Sequence, residues 1–231
     1  MAPSQEEIRN LPEGMQAQFA SWPEAIQNLV AIEDHDGPHR FSFKEKSLFG
    51  MSLMGINLQG VNLQGAHLCY AQLQGANLRE TDMSGAHAHG ANLEDADVTG
   101  AKLDKINLAW AILTGVKGLC SGWKDSQGNQ QPNTITICKD TVLPVKMLTD
   151  FPQTETEFFQ RVETLKPSNN NEHPQYQVSD YLNIQVKKEN IPEWGNVVWG
   201  QIQNNFWNTL NEGSILQAFT AWKTRVNLFG G

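Results

Sequence analysis

The chain has few of the residues that define several common protein classes. Only three of its 231 residues are cysteine, Cys69, Cys120 and Cys138, and none has the paired spacing of a zinc site. This usage favours thiols in a reducing compartment over a disulfide framework. Charged residues make up 18% of the chain, and the net charge is −8. An acidic chain without a basic stripe binds phosphate backbones poorly, so we expect no direct nucleic-acid partner.

Long apolar runs are also missing. No stretch has the roughly 20 apolar residues that cross a bilayer, so the sequence predicts no membrane attachment. The first residues, MAPSQEEIRNLPEG, lack a basic region followed by an apolar one, which is the form of a secretory signal. We therefore expect a cytoplasmic protein, although an effector exported by a non-classical signal would have the same sequence features.

Motifs for catalysis are absent as well. The sequence has no HExxH helix, no nucleophile elbow and no glycine loop of the kind that cradles phosphate. Its many glycines follow a repeat and indicate turns. We predict a protein that is not an enzyme and that needs no cofactor.

What the sequence does have is a five-residue repeat. Between Gly55 and Leu78 it reads GINLQGVNLQGAHLCYAQLQGANL, and the same frame runs from Phe41 to Gly115 without insertion. This spacing fits neither a strand, which has a period of 2, nor a helix, which has a period of 3.6. Fifteen units keep the frame, and eleven have leucine at the centre. The centres are residues 43, 48, 53, 58, 63, 68, 73, 78, 83, 88, 93, 98, 103, 108 and 113.

The other positions of each unit are also restricted. Two residues before the centre stands a small or apolar residue, most often alanine, and we expect both positions to be interior. Asn or Asp often precedes the centre, where a short polar side chain can bond turn backbone. Nine units have glycine two residues after the centre, where a sharp turn is expected. A unit this short cannot bury its own leucine, so the units must stack as a solenoid.

The repeat resembles the pentapeptide-repeat family, whose signature is A-(D/N)-L-x-x. The signature stands here as ANLRE (76–80), ANLED (91–95), ADVTG (96–100) and AKLDK (101–105). The resemblance covers residues 41–118 and implies a right-handed, four-sided parallel β-helix with four pentapeptides per coil. About 3.5–4 coils then fit, giving an all-β core.

The two flanks follow different patterns. Residues 1–40 predict a helical N-terminal cap of two or three helices, from a capping box at Ser4 and Glu7 to the turn at 36–38. Residues 119–231 predict an α+β region that is mainly helical. It contains a strand at 134–138, a helix at 154–165 and a polar hinge at 167–176.

The C-terminal segment carries the candidate partner-binding residues. From residue 194 onwards apolar side chains recur at helical spacing, and four of the seven tryptophans lie there. These aromatics either pack on the open end of the β-helix or form a binding surface, since Trp is frequent in hot spots. We expect a mixed outcome, with Trp199 packed inside and Trp222 and Phe219 nearer to a protein partner or a second copy, which would give a homodimer.

One metal site can be considered. With 20 residues per coil, His67 stacks under His87 and Cys69 under His89, which we expect to point outward from one side. Strands about 4.8 Å apart bring such ligands within reach of one zinc ion. A flat ladder seldom closes a tetrahedron, so we predict no metal, with these four as the candidate cluster.

The family resemblance also bears on function. Its best-known members imitate DNA and protect a type II topoisomerase, but here the repeat is short and nearly neutral, with a net charge of −1 over residues 41–118. The acids Glu80, Asp82, Glu94, Asp95 and Asp97 form only a modest cluster. We therefore expect a bacterial or phage scaffold that binds a protein partner, with topoisomerase mimicry and a secreted effector as the alternatives.

Overall fold

The computed structural model describes residues 2–33, 40–138, 141, 176–179 and 182–187. Three short helices, α1 (Gln5–Arg9), α2 (Glu13–Ala20) and α3 (Glu24–Gln27), open the chain. The strands are β1 (Ala31–Glu33), β2 (Arg40–Ser42), β3 (Ile106–Asn107), β4 (Trp123–Lys124), β5 (Gln130–Gln131), β6 (Asn133–Cys138), β7 (Tyr176–Ser179) and β8 (Leu182–Lys187). The predicted helix at 154–165 and nearly all of the predicted hinge at 167–176 lie outside the described residues, as do Trp199, Phe219 and Trp222.

The repeat forms parallel coils of 20 residues, the length that the family resemblance implies. Parallel β-bridges link each residue that precedes a centre to the residue 20 positions later. These bridges form four columns, one on each side of the coil: 42/62/82/102, 47/67/87/107, 52/72/92/112 and 57/77/97/117.

The inward positions form one apolar core. All fifteen centres are buried, and Leu63, Leu68, Leu73 and Leu78 have no exposed surface. The positions two residues earlier are buried too, from Phe41 to Ala111, with the exception of Lys46. The prediction that both positions are interior is therefore confirmed, and leucines of successive coils cover one another because no single coil can bury its own.

Each unit turns in the same way. The residue two after the centre has a positive φ in all fifteen units, between 56° and 71°. Nine of these residues are glycine, for which this conformation carries no steric cost. Six are not, among them Tyr70, Glu80 and Trp110, so the stacking of the coils holds them in a conformation that they rarely adopt alone.

Backbone hydrogen bonds join the coils on every side. At His67, for example, the amide donates to the Lys46 carbonyl of the coil before at 2.9 Å, and the carbonyl accepts from the Leu48 amide at 2.8 Å. The Cys69 carbonyl accepts from the Gly50 amide at 2.9 Å. These three groups per side satisfy the backbone of each inner coil.

The N-terminal segment packs on the first coil. Trp22 is buried, and its ring lies 4.9 Å from that of Phe41 and 5.6 Å from that of Phe43, measured between centroids. Its indole Nε1 donates to the Asn57 carbonyl at 2.7 Å. The capping box at Ser4 is present, with the Ser4 side chain and the Glu7 backbone bonded to each other.

The sequence suggested helices up to residues 36–38, but the helical part of the N-terminal segment ends earlier. Helix α3 ends at Gln27, and β1 pairs antiparallel with β2, opposing Ile32 to Phe41. The Glu33 carboxylate accepts hydrogen bonds from Ser42 Oγ at 2.6 Å, Asn62 Nδ2 at 2.9 Å and Arg40 Nε at 2.8 Å. Burial raises the pKa of Glu33, but these bonds and the Arg40 charge outweigh it, so the pKa lies below its ordinary value. The segment is strand because three donors on two coils fix Glu33 there.

Parallel stacking continues past the end of the repeat. The predicted strand at 134–138 is present as β6, and it lies parallel on β3, with Ile135 opposite Ile106. Strand β8 then lies parallel on β6, and β7 pairs antiparallel with β8 at the edge. Ile135, Ile137, Leu182 and Ile184 have no exposed surface and belong to the same core. Two non-repeat strands therefore extend one side of the β-helix.

Candidate interaction surfaces

The predicted His and Cys cluster lies on one side of the β-helix, but the structure does not gather it into a metal site. His67 and His87 are adjacent, with ring centroids 5.2 Å apart and planes at 75°. Cys69 is buried, its Sγ is 3.4 Å from the His87 carbonyl oxygen, and burial raises the pKa of its thiol to about 11. His89 is only 3% exposed. Within the described part of the chain, no group of three or more His, Cys, Asp or Glu residues is placed to hold a metal ion.

Cys69 and His89 are buried rather than exposed, and large side chains lie beside them on this side of the β-helix. The His89 ring stacks on Trp110, with centroids 6.1 Å apart and planes at 22°. Tyr70 lies over Gly90, where an added Cβ would come within 2.6 Å of the phenol ring. Burial also raises the pKa of Tyr70. Aromatic rings therefore cover smaller residues on this side of the β-helix.

These rings form an aromatic stripe, by which we mean Phe49, Tyr70, His89 and Trp110. Phe49 meets Tyr70 edge to face at 5.6 Å between centroids. The sequence carries a signal for this stripe: Tyr70 and Trp110 occupy the turn position that is usually glycine, two coils apart, with Gly90 between them. A large side chain at that position must lie along the outside of the helix.

The predicted acidic residues are partly neutralised by cations in the same columns. Asp82 lies 3.9 Å from Lys102 Nζ, and Asp97 lies 3.6 Å from an Arg79 guanidinium nitrogen. Burial raises the pKa of Asp97, but hydrogen bonds from Thr99 and the charges of Arg79 and Lys117 outweigh it and hold it below its ordinary value. Lys102 also lies over the Trp123 ring at 4.6 Å. Two of the five acids, Asp82 and Asp97, are therefore paired with cations, whereas Glu80 and Asp95 are exposed.

No helix in the described ranges has the length and apolar character needed to cross a membrane. The candidate partner-binding residues Trp199, Phe219 and Trp222 lie outside those ranges.

The comparisons with known proteins identify the repeat. The family described as pentapeptide repeats (8 copies) matches residues 56–95 and 91–117. The pentapeptide repeat protein alr5209 from Nostoc Pcc 7120 is 32% identical, over 46% of this chain and 75% of its own, with a TM-score of 0.34. The chain belongs to the pentapeptide-repeat family.

Other members are similar to different extents. The pentapeptide repeat protein Rfr23 from the cyanobacterium Cyanothece 51142 is 31% identical over 48% of this chain and 67% of its own, with a TM-score of 0.39. QnrB1, a plasmid-mediated fluoroquinolone resistance protein, is 18% identical over 45% of this chain and 50% of its own, with a TM-score of 0.34. No curated protein matches the chain. Membership of the pentapeptide-repeat family implies the right-handed, four-sided β-helix to which the 20-residue coils correspond.

Proposed function

We propose that this protein is a non-enzymatic scaffold of bacterial or phage type, acting in the cytoplasm, in which the β-helix is a rigid spacer and its flanks bind a partner protein. The carrying observation is the continuous stacking of the coils, from the ring contacts of Trp22 with Phe41 and Phe43 to the strand β6 on β3. Every inner coil is bonded to both neighbours, so the two ends keep a fixed separation and orientation.

The N-terminal segment serves as a cap in this proposal. An open β-helix ends in unpaired backbone that invites aggregation. Trp22 and the pair β1–β2 supply partners and apolar cover for part of the first coil. Residues 1–40 therefore act as one unit with the β-helix, and residues 119–231 act as the region that meets the partner.

We propose that the C-terminal aromatics Trp222, Phe219 and Trp199 supply the partner surface, with Trp222 and Phe219 nearer to the partner and Trp199 more important for stability. A second copy of the chain is the alternative occupant and would give a homodimer. Affinity capture from the native host tests this, with wild-type protein compared with Trp222→Ala and Trp199→Ala. We expect Trp222→Ala to weaken the free energy of binding to the partner by about 2 kcal/mol or more and to leave the melting temperature unchanged.

For Trp199→Ala we expect the loss to appear in stability instead of in binding. A buried Trp replaced by Ala lowers the free energy of unfolding by about 3–5 kcal/mol. If Trp222→Ala proves the more damaging change in the melt, the assignment of the two residues is wrong. If neither variant changes what the protein captures, the partner surface lies elsewhere.

Topoisomerase mimicry is less well supported, because residues 41–118 have a net charge of only −1 and two of the five acids, Asp82 and Asp97, lie in ion pairs. A gyrase supercoiling assay with a quinolone separates the two functions. We expect no relief of inhibition by the purified protein. Relief that is lost when Glu94, Asp95 and Asp97 are changed together to Gln or Asn would establish mimicry instead.

A further inference from the structure

The described residues of the N-terminal segment bond to two of the four sides of the first coil. On the side of Leu58, Trp22 Nε1 and Gln18 Nε2 donate to the carbonyls of Asn57 and Gln59 at 2.7 Å and 3.1 Å. On the side of Phe43, β1 pairs with β2. The sides centred on Leu48 and Leu53 lie between these two.

Among the described residues, the backbone groups of these two sides lack the partners that later coils have. In the coil above, His67 N, His67 O and Cys69 O all bond to the first coil, at 2.9, 2.8 and 2.9 Å. The equivalent groups one coil earlier, Ser47 N, Ser47 O and Phe49 O, have no partner within the described residues. The same is true of Ser52 N, Ser52 O and Met54 O. We call this edge, residues 47–54, the open rim.

The side chains on the open rim suit a ligand. Met54 is 59% exposed and is the one large hydrophobic side chain exposed in the described ranges. Methionine adapts its shape to varied partners and is frequent at binding surfaces. The open rim therefore combines the apolar side chain of Met54 with a row of backbone hydrogen-bonding groups.

The charge beside the open rim is positive. Lys46 stands at an inward position, where later coils have Ala66, Ala86 and Ile106 buried, and yet it is exposed. An inward position reaches solvent only through the end of the coil, so the Lys46 ammonium emerges at the rim. Lys44 is exposed as well, whereas Glu45 lies over Gly65, away from the rim. In the described part of the chain, neither lysine has an ion-pair partner.

The position of α2 and Trp22 beside the open rim decides what can bind there. A second copy stacked end to end would bring its coil to about 4.8 Å from the rim. The side chains of α2 and Trp22 are bonded to the next side of the same coil, and a helix is about 10 Å across, so it would block that approach. A single extended peptide has no such obstacle.

We propose that the open rim is a β-addition site for an extended acidic peptide of a partner protein. The peptide lies parallel to residues 47–54 and takes up the three backbone groups of each side, as each inner coil does. Its carboxylates pair with Lys46 and Lys44, and an apolar side chain contacts Met54. The site rests on the proposed scaffold function and is separate from the C-terminal surface.

The test uses the full chain and two ten-residue probes, the acidic peptide ADLSGADLSG and its basic counterpart AKLSGAKLSG. Hydrogen exchange of the backbone amides is followed with increasing peptide. We expect the acidic probe to slow exchange at Ser47 and Ser52 and the basic probe to leave it unchanged. Lys46→Glu should weaken the acidic probe at least tenfold and admit the basic one, whereas Lys124→Glu, at an exposed lysine of β4, should alter neither.

Two results overturn the proposal. The first is unchanged exchange at Ser47 and Ser52 with the acidic probe at millimolar concentration. The second is protection of these amides that depends on protein concentration without any peptide, which assigns the rim to a second copy. Failure here is distinct from failure of the scaffold function, because a partner captured equally by wild type and Lys46→Glu leaves that function standing.

Discussion

Trp22 and Asn57 are joined by a hydrogen bond of 2.7 Å from the indole Nε1 to the backbone carbonyl, across 35 residues of sequence. The same indole fills the end of the core beside Phe41 and Phe43. One side chain therefore closes both the apolar and the polar part of the coil end.

Two substitutions at Trp22 separate these contributions. Trp22→Phe keeps an aromatic ring but leaves the Asn57 carbonyl with only the weaker Gln18 bond, at 3.3 Å, so we expect a loss of about 1 kcal/mol from the hydrogen bond. Trp22→Ala removes the ring too and should cost about 3–5 kcal/mol. Urea unfolding measures both. Equal losses for the two variants would mean that the ring contributes nothing.

Leu73 and Met54 provide a matched pair for the stacking of the coils. Leu73 is a centre with no exposed surface, and Met54 is 59% exposed. Leu73→Asp buries a carboxylate without a partner and should lower the free energy of unfolding by several kcal/mol, or prevent folding. Met54→Asp introduces the same group in solvent and should change stability by less than about 0.5 kcal/mol. Equal tolerance in thermal melts would refute the register.

Cys69 should be chemically silent in the folded protein. Burial raises the pKa of its thiol to about 11, so only about one molecule in a thousand carries the thiolate at pH 8. In a Cys138→Ser background we expect Ellman's reagent to titrate the exposed Cys120 and to reach Cys69 only after unfolding. Rapid native labelling of Cys69, mapped by mass spectrometry, would contradict its burial.

Glu33 should make stability depend on pH in the acid range. Its folded pKa lies below the ordinary value of 4.5, so the carboxylate stabilises the fold above that pH. This contribution is lost as the pH falls through the folded pKa, because protonation removes the charge and weakens the bonds from Arg40 and Asn62. Glu33→Gln lacks the charge, so its stability should fall less than that of the wild type from pH 5 to pH 3. Parallel acid profiles would show that Glu33 is uncoupled from folding.

The inward positions and the stacked columns could be predicted from the repeat. Leu73 and Ala71 are inward because the five-residue frame leaves no other place for them, and the columns follow once 20 residues make a coil. The five-residue frame gives only the position of each residue in its unit. It could not show that Tyr70 lies over Gly90 or that Trp110 stacks on His89, because these contacts join different coils.

The flanks were harder to predict for a related reason. Residues 31–33 have an apolar pattern that suits a helix or a strand, and the bond from Asn62 to Glu33, across 29 residues, favours the strand. Strand β6 was predicted, but its place was not, because TITIC carries no pentapeptide signature. Its partner β3 is fixed instead by long-range pairing, and Asn133 Oδ1 accepts from the Leu103 amide at 2.7 Å.

The 20-residue coil also sets an angular rule for changes in length. Removing one whole coil would shorten the spacer by about 4.8 Å and leave every later residue on its original side. Removing a single pentapeptide between Tyr70 and Trp110 would instead rotate everything after it by a quarter turn. Trp110 would then leave the side of Tyr70, whereas β3 and β6 would turn together and stay paired. The number of units therefore encodes the direction in which the C-terminal region faces as well as its distance from the N-terminus.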